Sequence, residues 1–415
     1  MVRLSRAQQQ ERTRATVLAA ARAEFTERGY AAAKVDGIAE RAELTRGAVY
    51  SNFPSKRALY LAVLADTTDT ADAAAMAHAA DAAGETGLTG VARVTGSGDI
   101  DGAPPAVAPS HPSLAEALGA FARARLQGLP LVGETPALGQ ALPRSLAGVL
   151  DDEPIRTAFG QVTRLEALLL ALALESWTSA GPRPDRQVRR AELVLRLLDG
   201  PGASIDPGLA FGDPFDIAQA CAHLGHLPLA DAWDPPHLPY VSAAQTCREP
   251  WTPPDGLRDL LTGRPVGFGE DGVVVVLGSH RLEAVEESVR AAQAGDRVTV
   301  AVATADPAET GRLVRLRIDD FARCLRRVFV RDGWPRLRVV LDDDGLLASA
   351  VGVIGADDTA EHAVRVRQGT LVARAHGRGA GHAAATAPVP PSPAPAPAGR
   401  TSPPLSRTAP DGAAP

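Results

Sequence analysis

Residues 44–59 read Leu-Thr-Arg-Gly-Ala-Val-Tyr-Ser-Asn-Phe-Pro-Ser-Lys-Arg-Ala-Leu, and this stretch decides how the first part of the chain folds. Thr45 is a natural N-cap for a short helix over Arg46–Asn52, because its side-chain oxygen accepts from an orphan N–H of the first turn. Val49 and Phe53 supply the core side of that helix. Arg46, Gly47, Ala48, Tyr50, Ser51 and Asn52 fall on its other side. Gly47 and Ala48 are small enough to let the backbone come close to whatever that side meets. Pro54-Ser55 restarts the chain: Ser55 caps a fourth helix and puts Lys56 in its first turn, beside unpaired N–H groups that suit a phosphate.

Upstream, Val17, Leu18, Ala21 and Phe25 recur at helical spacing between Arg12 and Arg28, and Gly29 supplies the stop. Val35, Ile38, Ala39 and Ala42 make a second, shorter stripe, and Glu43-Leu44 is the turn before Thr45. A longer helix, a short helix, a tight turn and another short helix form a helix-turn-helix, whose last helix enters the DNA major groove. The charge agrees. Residues 1–57 carry eleven Lys/Arg against six Asp/Glu, a net of +5, although the whole chain has a formal charge of −6. A basic head on an acidic body is expected when only the head meets phosphate.

Phe25-x3-Gly29-Tyr30, then Val35-x2-Ile38-Ala39-x2-Ala42, then the run 44–59, together resemble the TetR/AcrR family of bacterial transcriptional regulators. The resemblance implies a dimeric, all-helical repressor, less often an activator, whose DNA contacts change when a small molecule enters its C-terminal helical domain. By position it assigns Thr45, Arg46, Gly47 and Ala48 to the base-facing start of the recognition helix. Tyr50, Asn52 and Lys56 become the backbone clamps. Two positions depart from the family pattern. Glu43 stands where a turn glycine is usual, so a non-Gly residue there has to accept positive φ at roughly 1 kcal/mol. Lys34 stands where Ser or Thr usually caps the second helix and contacts phosphate; lysine reaches a phosphate but cannot cap.

Helical patterns continue from Ser55 into an Ala-rich stretch ending near Ala83, and a Gly- and Pro-rich loop follows over 84–113. They return at Ser113–Leu129, at Pro154–Trp177 and at Asp185–Leu198. In the family the last two long helices build a four-helix dimer interface, and the latter pair fits that place; an intramolecular bundle is the alternative. A ligand pocket is expected among the helices of residues 60–200, with Phe121, Phe159 and Trp177 as candidate lining.

Beyond residue 200 the family architecture stops. Residues 201–265 are Pro-rich, and Cys221-x-His223-x2-His226 lacks the second closely spaced pair that a metal site needs. Past Gly269 strands alternate with helices. Val273–Leu277, Arg297–Thr304, Leu337–Asp342, His362–Arg367 and Thr370–Ala375 read as strands, the last two joined by Gln368-Gly369 as a hairpin. Helices are expected over His280–Ala294 and Ala308–Phe329. This order is similar to a thioredoxin-like domain, but Gly278-Ser279-His280-Arg281 stands where a redox-active member has Cys-x-x-Cys, so thiol chemistry is not expected there. A Rossmann-like module is the alternative, without a Gly-rich phosphate loop to support it.

A length of 415 residues suits two or three domains. The reading is of a multidomain chain: an all-α TetR-like half followed by a smaller α/β domain. The expected divisions are a helix-turn-helix head over 1–60, a helical ligand-binding and dimerisation domain over 61–200, a Pro-rich linker over 201–269, the α/β domain over 270–382 and a disordered Ala/Pro tail over 383–415. No run reaches the ~20 apolar residues of a membrane span. The start lacks the apolar core of a signal peptide, and the cysteines are unpaired in spacing, so the cytoplasm is expected. The expected function is a sequence-specific, ligand-modulated dimeric repressor that binds a near-palindromic double-stranded operator. No cofactor, metal or catalytic residue is assigned. An enzyme or redox sensor fused to a DNA-binding head is the competing reading.

Overall fold

A computed structural model of the protein describes residues 5–67, 113–127, 146, 148–178, 185–199, 213–329 and 336–388. The part beyond residue 67 of the helix expected to end near Ala83, most of the 84–113 loop and nearly all of the C-terminal tail lie outside the described residues.

Four helices make the head. Helix α1 (Arg6–Ala32) starts at a capping box in which Ser5 and Gln8 bond each other's backbone N–H groups. It breaks at Gly29, whose φ of +69° is outside the helical range. Helix α2 (Val35–Arg41), helix α3 (Arg46–Asn52) and helix α4 (56–67) then close over a core of Val17, Phe25, Ile38, Val49, Phe53 and Leu59. Phe25, Tyr30 and Tyr60 form an aromatic cluster beneath it, with Phe25 and Tyr60 edge to face at 4.8 Å.

The middle helices are α5 (Leu114–Leu126), α6 (Glu153–Thr178), α7 (Val188–Asp199) and α8 (Pro214–Leu224). Helix α6 has the length and hydropathy of a membrane span, yet 72% of its apolar window is buried. Every residue from Leu165 to Glu175 is buried, so the chain itself covers that part of the helix on all sides. Of the α6–α7 pair expected at a dimer interface, α7 keeps an open face with Arg189, Arg196 and Leu197 exposed, and α6 keeps one only in its N-terminal half, at Arg156, Gly160 and Arg164. The cause is the α/β domain, which packs against α6.

That domain holds a six-stranded mixed sheet in the order β1-β6-β5-β2-β3-β4. Strands β2 (Gly272–Gly278), β3 (Arg297–Ala303) and β4 (Leu337–Leu341) are parallel. Strand β5 (Glu361–Arg367) runs antiparallel to β2, and β6 (Thr370–His376) returns beside it through Gln368-Gly369, both at positive φ as a primed hairpin turn requires. The expected strand order and terminal hairpin are present. Val273, Val275 and Leu277 face one side of the sheet and Val274 and Val276 the other, the period-2 alternation of a strand covered on both faces. Helices α9 (Val285–Ala291), α10 (Arg312–Val328), α11 (Leu346–Ala350) and α12 (Ala380–Thr386) complete the domain.

Two expectations differ from what is seen. The stretch read as linker contributes α8, which packs on α5, and edge strand β1 (Gln245–Pro250), which pairs with β6 through a bulge between Thr246 and Glu249. An edge strand bonds on one side and stays wet, so β1 carries no apolar alternation to betray it, and its Pro250 reads as a break. At the other end α12 crosses the expected tail boundary: Ala383, Ala384 and Ala385 are buried, and Arg365 donates to the Ala387 carbonyl at 3.0 Å.

Helix α10 organises the molecule. Its Val314, Ile318 and Phe321 belong to the core shared by the sheet and the middle helices, whereas Leu313 and Leu316 enter the core of the head. The three aromatics expected to line a ligand pocket all meet this helix or its end. Phe121 packs edge-on against Phe321 at 5.6 Å, Trp177 against Phe329 at 5.7 Å, and Phe159 lies under the Arg317 guanidinium at 4.8 Å. Phe121 is fully buried by this packing, while Phe159 and Trp177 keep part of their surface exposed.

Candidate nucleic-acid interface

Helix α3 is built to show one face. Thr45 has extended backbone angles and its Oγ1 accepts from the Ala48 N–H at 3.2 Å, so the expected cap forms. Val49 and Phe53, each 1% exposed, pin the helix to the rest of the head. Arg46, Gly47 and Ser51 are exposed, while Ala48, Tyr50 and Asn52 are half-buried beside them. Ser51 Oγ and Asn52 Nδ2 both donate to the Ala48 carbonyl at 2.9 Å. Gly47 carries an argument of its own. A Cβ there would meet nothing nearer than Thr45 Oγ1 at 3.9 Å, so the protein's own packing does not demand glycine. A helical glycine costs up to about 1 kcal/mol relative to alanine. Room kept open at that cost fits a surface that an external partner approaches closely.

Arg46 reaches back to Asp36 on α2 at 3.4 Å and lies 5.5 Å from the centroid of the Tyr50 ring. Both members of the ion pair are largely exposed, so the pair is weak and an incoming partner can replace it. Lys34 occupies the N-cap position of α2 without making a side-chain cap, and the backbone accommodates the loss. The buried Glu24 carboxylate lies 3.5 Å from the Lys34 N–H, and it takes Arg41 Nε at 3.1 Å and Arg28 Nε at 3.2 Å. Gly37 permits this arrangement, since a Cβ there would stand 3.1 Å from the same carboxylate. Glu43 adopts φ +55°, the left-handed turn expected where glycine is missing.

Lys56, in the first turn of α4, is tethered rather than free. Its Nζ donates to the Ala31 carbonyl at 3.2 Å and sits 4.7 Å over the Tyr30 ring, and burial pulls its pKa below the usual lysine value. Ser55 caps α4 by accepting from the Ala58 N–H at 2.9 Å, and its own hydroxyl donates to Glu309 of the α/β domain. Arg57 next to it pairs with that same Glu309 at 2.9 Å and with Asp152. Thr45 to Asn52 therefore share one helix, with Lys34 and Lys56 at the starts of the helices before and after it.

Internal pairing redistributes the charge of the head. Arg22, Arg28, Arg41, Arg46 and Arg57 each meet a carboxylate. Among the described residues Arg6, Arg12, Arg14, Lys34 and Lys56 make no ion pair, and they carry what remains of its positive field. Arg14 escaped the sequence reading because it stands on the polar side of α1, where an arginine draws no notice.

Residues 17–63 match the family model for bacterial regulatory proteins of the tetR family. The head is a TetR-family domain. The match spans the end of α1's first half through α4, the segment whose geometry is described above. A TetR-family head makes this chain a DNA-binding transcriptional regulator. No curated protein matches the chain.

Outside the TetR-family head, the other sequence signals resolve into structure. Cys221 is fully buried, and His223 donates from Nδ1 to the Gln219 carbonyl of its own helix at 2.9 Å. Among the described residues no three His, Cys, Asp or Glu side chains gather as metal ligands would. At 278–281 the polar groups are committed to holding the domain. Ser279 Oγ and Thr304 Oγ1 donate to Asp358 Oδ1 at 2.7 and 2.6 Å, His280 donates to the Pro154 carbonyl at 3.0 Å, and Arg281 pairs with Glu361 at 2.9 Å.

Proposed function

We propose that this chain is a dimeric repressor that binds a near-palindromic operator through α3 and releases it when a small molecule is bound. The observation that carries the DNA-binding part is the exposed Thr45–Arg46–Gly47 start of α3 with half-buried Ala48 behind it, capped, anchored by Val49 and Phe53, and left without a side chain where packing would tolerate one. Arg46 reads bases at the groove floor. Lys34, Tyr50, Ser51, Asn52 and Lys56 grip the backbone on either side.

Dimerisation follows from the size of the reading element. One seven-residue helix meets few base pairs, and two heads on a symmetry axis multiply the discrimination. The surfaces that α6 and α7 offer a second copy are the exposed face of α7 and the N-terminal half of α6. A ligand acts by changing the distance between heads, and α10, which touches the head, the middle helices and the sheet, is the element through which such a change travels. The division into head, middle helices, connecting segment and α/β domain is retained as a functional one, with the packed core running across it.

The competing reading, an enzyme or redox sensor with a DNA-binding head, needs a nucleophile and a base that converge in the C-terminal third; at 278–281, the position of a redox motif, Ser279 is fully buried and bonded to Asp358. Selection of bound fragments from genomic DNA by the purified full-length chain, repeated in rising salt, tests the proposal. A short inverted repeat should emerge. Fragments with no shared sequence, together with a monomeric mass in solution, would defeat it.

A further inference from the structure

Two guanidinium groups from distant parts of the chain converge on one phenyl ring. Arg14 of α1 lies over Phe53 with Cζ 4.6 Å from the ring centroid, and Arg312, the first residue of α10, lies 5.9 Å from the same centroid. Phe53 directly follows α3. Neither cation has a carboxylate. Arg14 makes no hydrogen bond or ion pair among the described residues, and Arg312 donates only to the backbone carbonyls of Ala58 and Ala308, at 3.0 and 3.3 Å. The acids near Arg312 are committed elsewhere: Asp343 takes Arg315 at 3.1 Å, and Asp306 accepts from the Glu309 N–H at 3.0 Å. Burial, and then the charge of Arg14, hold the Arg312 pKa below the usual arginine value.

Both side chains are half-exposed, so the pair is neither sealed into a core nor dissolved in bulk water. Like charges in that setting repel, and a shared anion converts the repulsion into attraction. Arginine is suited to it, because its planar fork takes two phosphate oxygens at once. We propose that Arg14 and Arg312 together hold a DNA backbone phosphate just beyond the C-terminal end of α3, which makes the α/β domain part of the DNA-contacting surface. This rests on the reading of α3 as the groove-entering helix. On this proposal a duplex seated on the outer face of α3 runs on past Asn52 and, with a phosphate charge about every 1.7 Å of its axis, brings one of them to the two guanidiniums that rim Phe53.

The test is affinity of the full-length protein for a random-sequence duplex and for its selected operator, across a range of salt. Arg312→Gln should flatten the dependence of log affinity on log salt by about one unit, Arg14→Gln by a similar amount and the double variant by no more than either, because all three empty the same single phosphate site. The ranking of duplex sequences should survive both changes, and Arg312→Lys should restore most of the slope. Since Arg312 also holds the Ala58 carbonyl, a merely structural role would lower affinity while leaving the slope at its wild-type value. That result overturns the proposal, as does an unchanged slope and affinity in both variants. A wild-type chain that binds no duplex even at low salt would sink the reading of α3, and this inference with it.

Discussion

Glu309, in the π turn Pro307–Gly311 ahead of α10, accepts from Arg57 of α4 at 2.9 Å across 252 positions of sequence. Ser55, which caps α4, donates to the same carboxylate, and Asp152, at the start of α6, takes the other side of the Arg57 guanidinium. Head, middle helices and α/β domain thus meet at one arginine. The extra C-terminal third is no pendant module; its Leu313 and Leu316 complete the head's own core beside this junction.

Arg57→Ala should destabilise the folded chain by about 2 kcal/mol, less than a fully buried pair because both side chains keep some solvent contact. Urea melts of Arg57→Ala, Glu309→Ala and the double variant measure the coupling directly. A coupling near zero would mean that the junction is decoration and that Leu313 and Leu316 alone dock the head.

In the helix that faces DNA, Arg46→Ala should erase discrimination between operator and scrambled sequence, a loss of roughly 1–3 kcal/mol at the base it reads. Lys56→Ala should weaken all duplexes alike and flatten the salt dependence by about one unit. Because Lys56 must first leave the Ala31 carbonyl, its loss should cost less than a preformed phosphate contact would. Intact sequence preference in Arg46→Ala would place some other residue at the groove floor.

The turn before α3 stores strain. Glu43 sits at φ +55°, where a Cβ is unfavourable, and its side chain is exposed. Glu43→Gly should raise stability by up to about 1 kcal/mol, after allowing for the extra freedom that glycine brings to the unfolded chain. A lower melting temperature in Glu43→Gly would show that the carboxylate itself supports the turn.

Between α6 and α10, Glu166 and Arg317 form an ion pair at 2.5 Å with both side chains 1% exposed. Burial pushes the Glu166 carboxyl up to about 7 from its ordinary 4.5, against the pull of Arg317. A raised carboxyl binds more protons in the folded than in the unfolded chain between those values. Its contribution is therefore fully present below about pH 4.5 and is lost as pH rises through about 7. Glu166→Gln has no such proton to lose, so its urea midpoint should fall less than that of the wild type over this window. Parallel pH profiles for the two proteins would show that Glu166 is ionised throughout.

The cysteines give a simpler check. Burial pushes the Cys221 thiol up to about 11 and also raises Cys324, so neither supplies thiolate at neutral pH. Alkylation followed by mass spectrometry should label half-buried Cys247 first, and the other two only on unfolding. Early labelling of Cys221 would mean that α8 lifts readily from α5.

By itself the amino-acid sequence determined the head and the alternating part of the sheet. The Thr45 cap, the stop at Gly29, the strained turn at Glu43 and the valine run of β2 depend on neighbours within a few positions, where local sterics and periodicity decide the conformation. Only the tertiary structure decided what covers those elements. Edge strand β1 pairs with β6 more than a hundred positions away, and its wet face leaves no apolar signature. Helix α10 reads as one more amphipathic helix until Leu313 and Leu316 are seen in the head and Phe321 against Phe121. Arg14 and Arg312 were two ordinary charges until folding set both beside Phe53. Such contacts join residues with no local pattern in common, because side-chain packing and ion pairing act through space and are blind to distance along the chain.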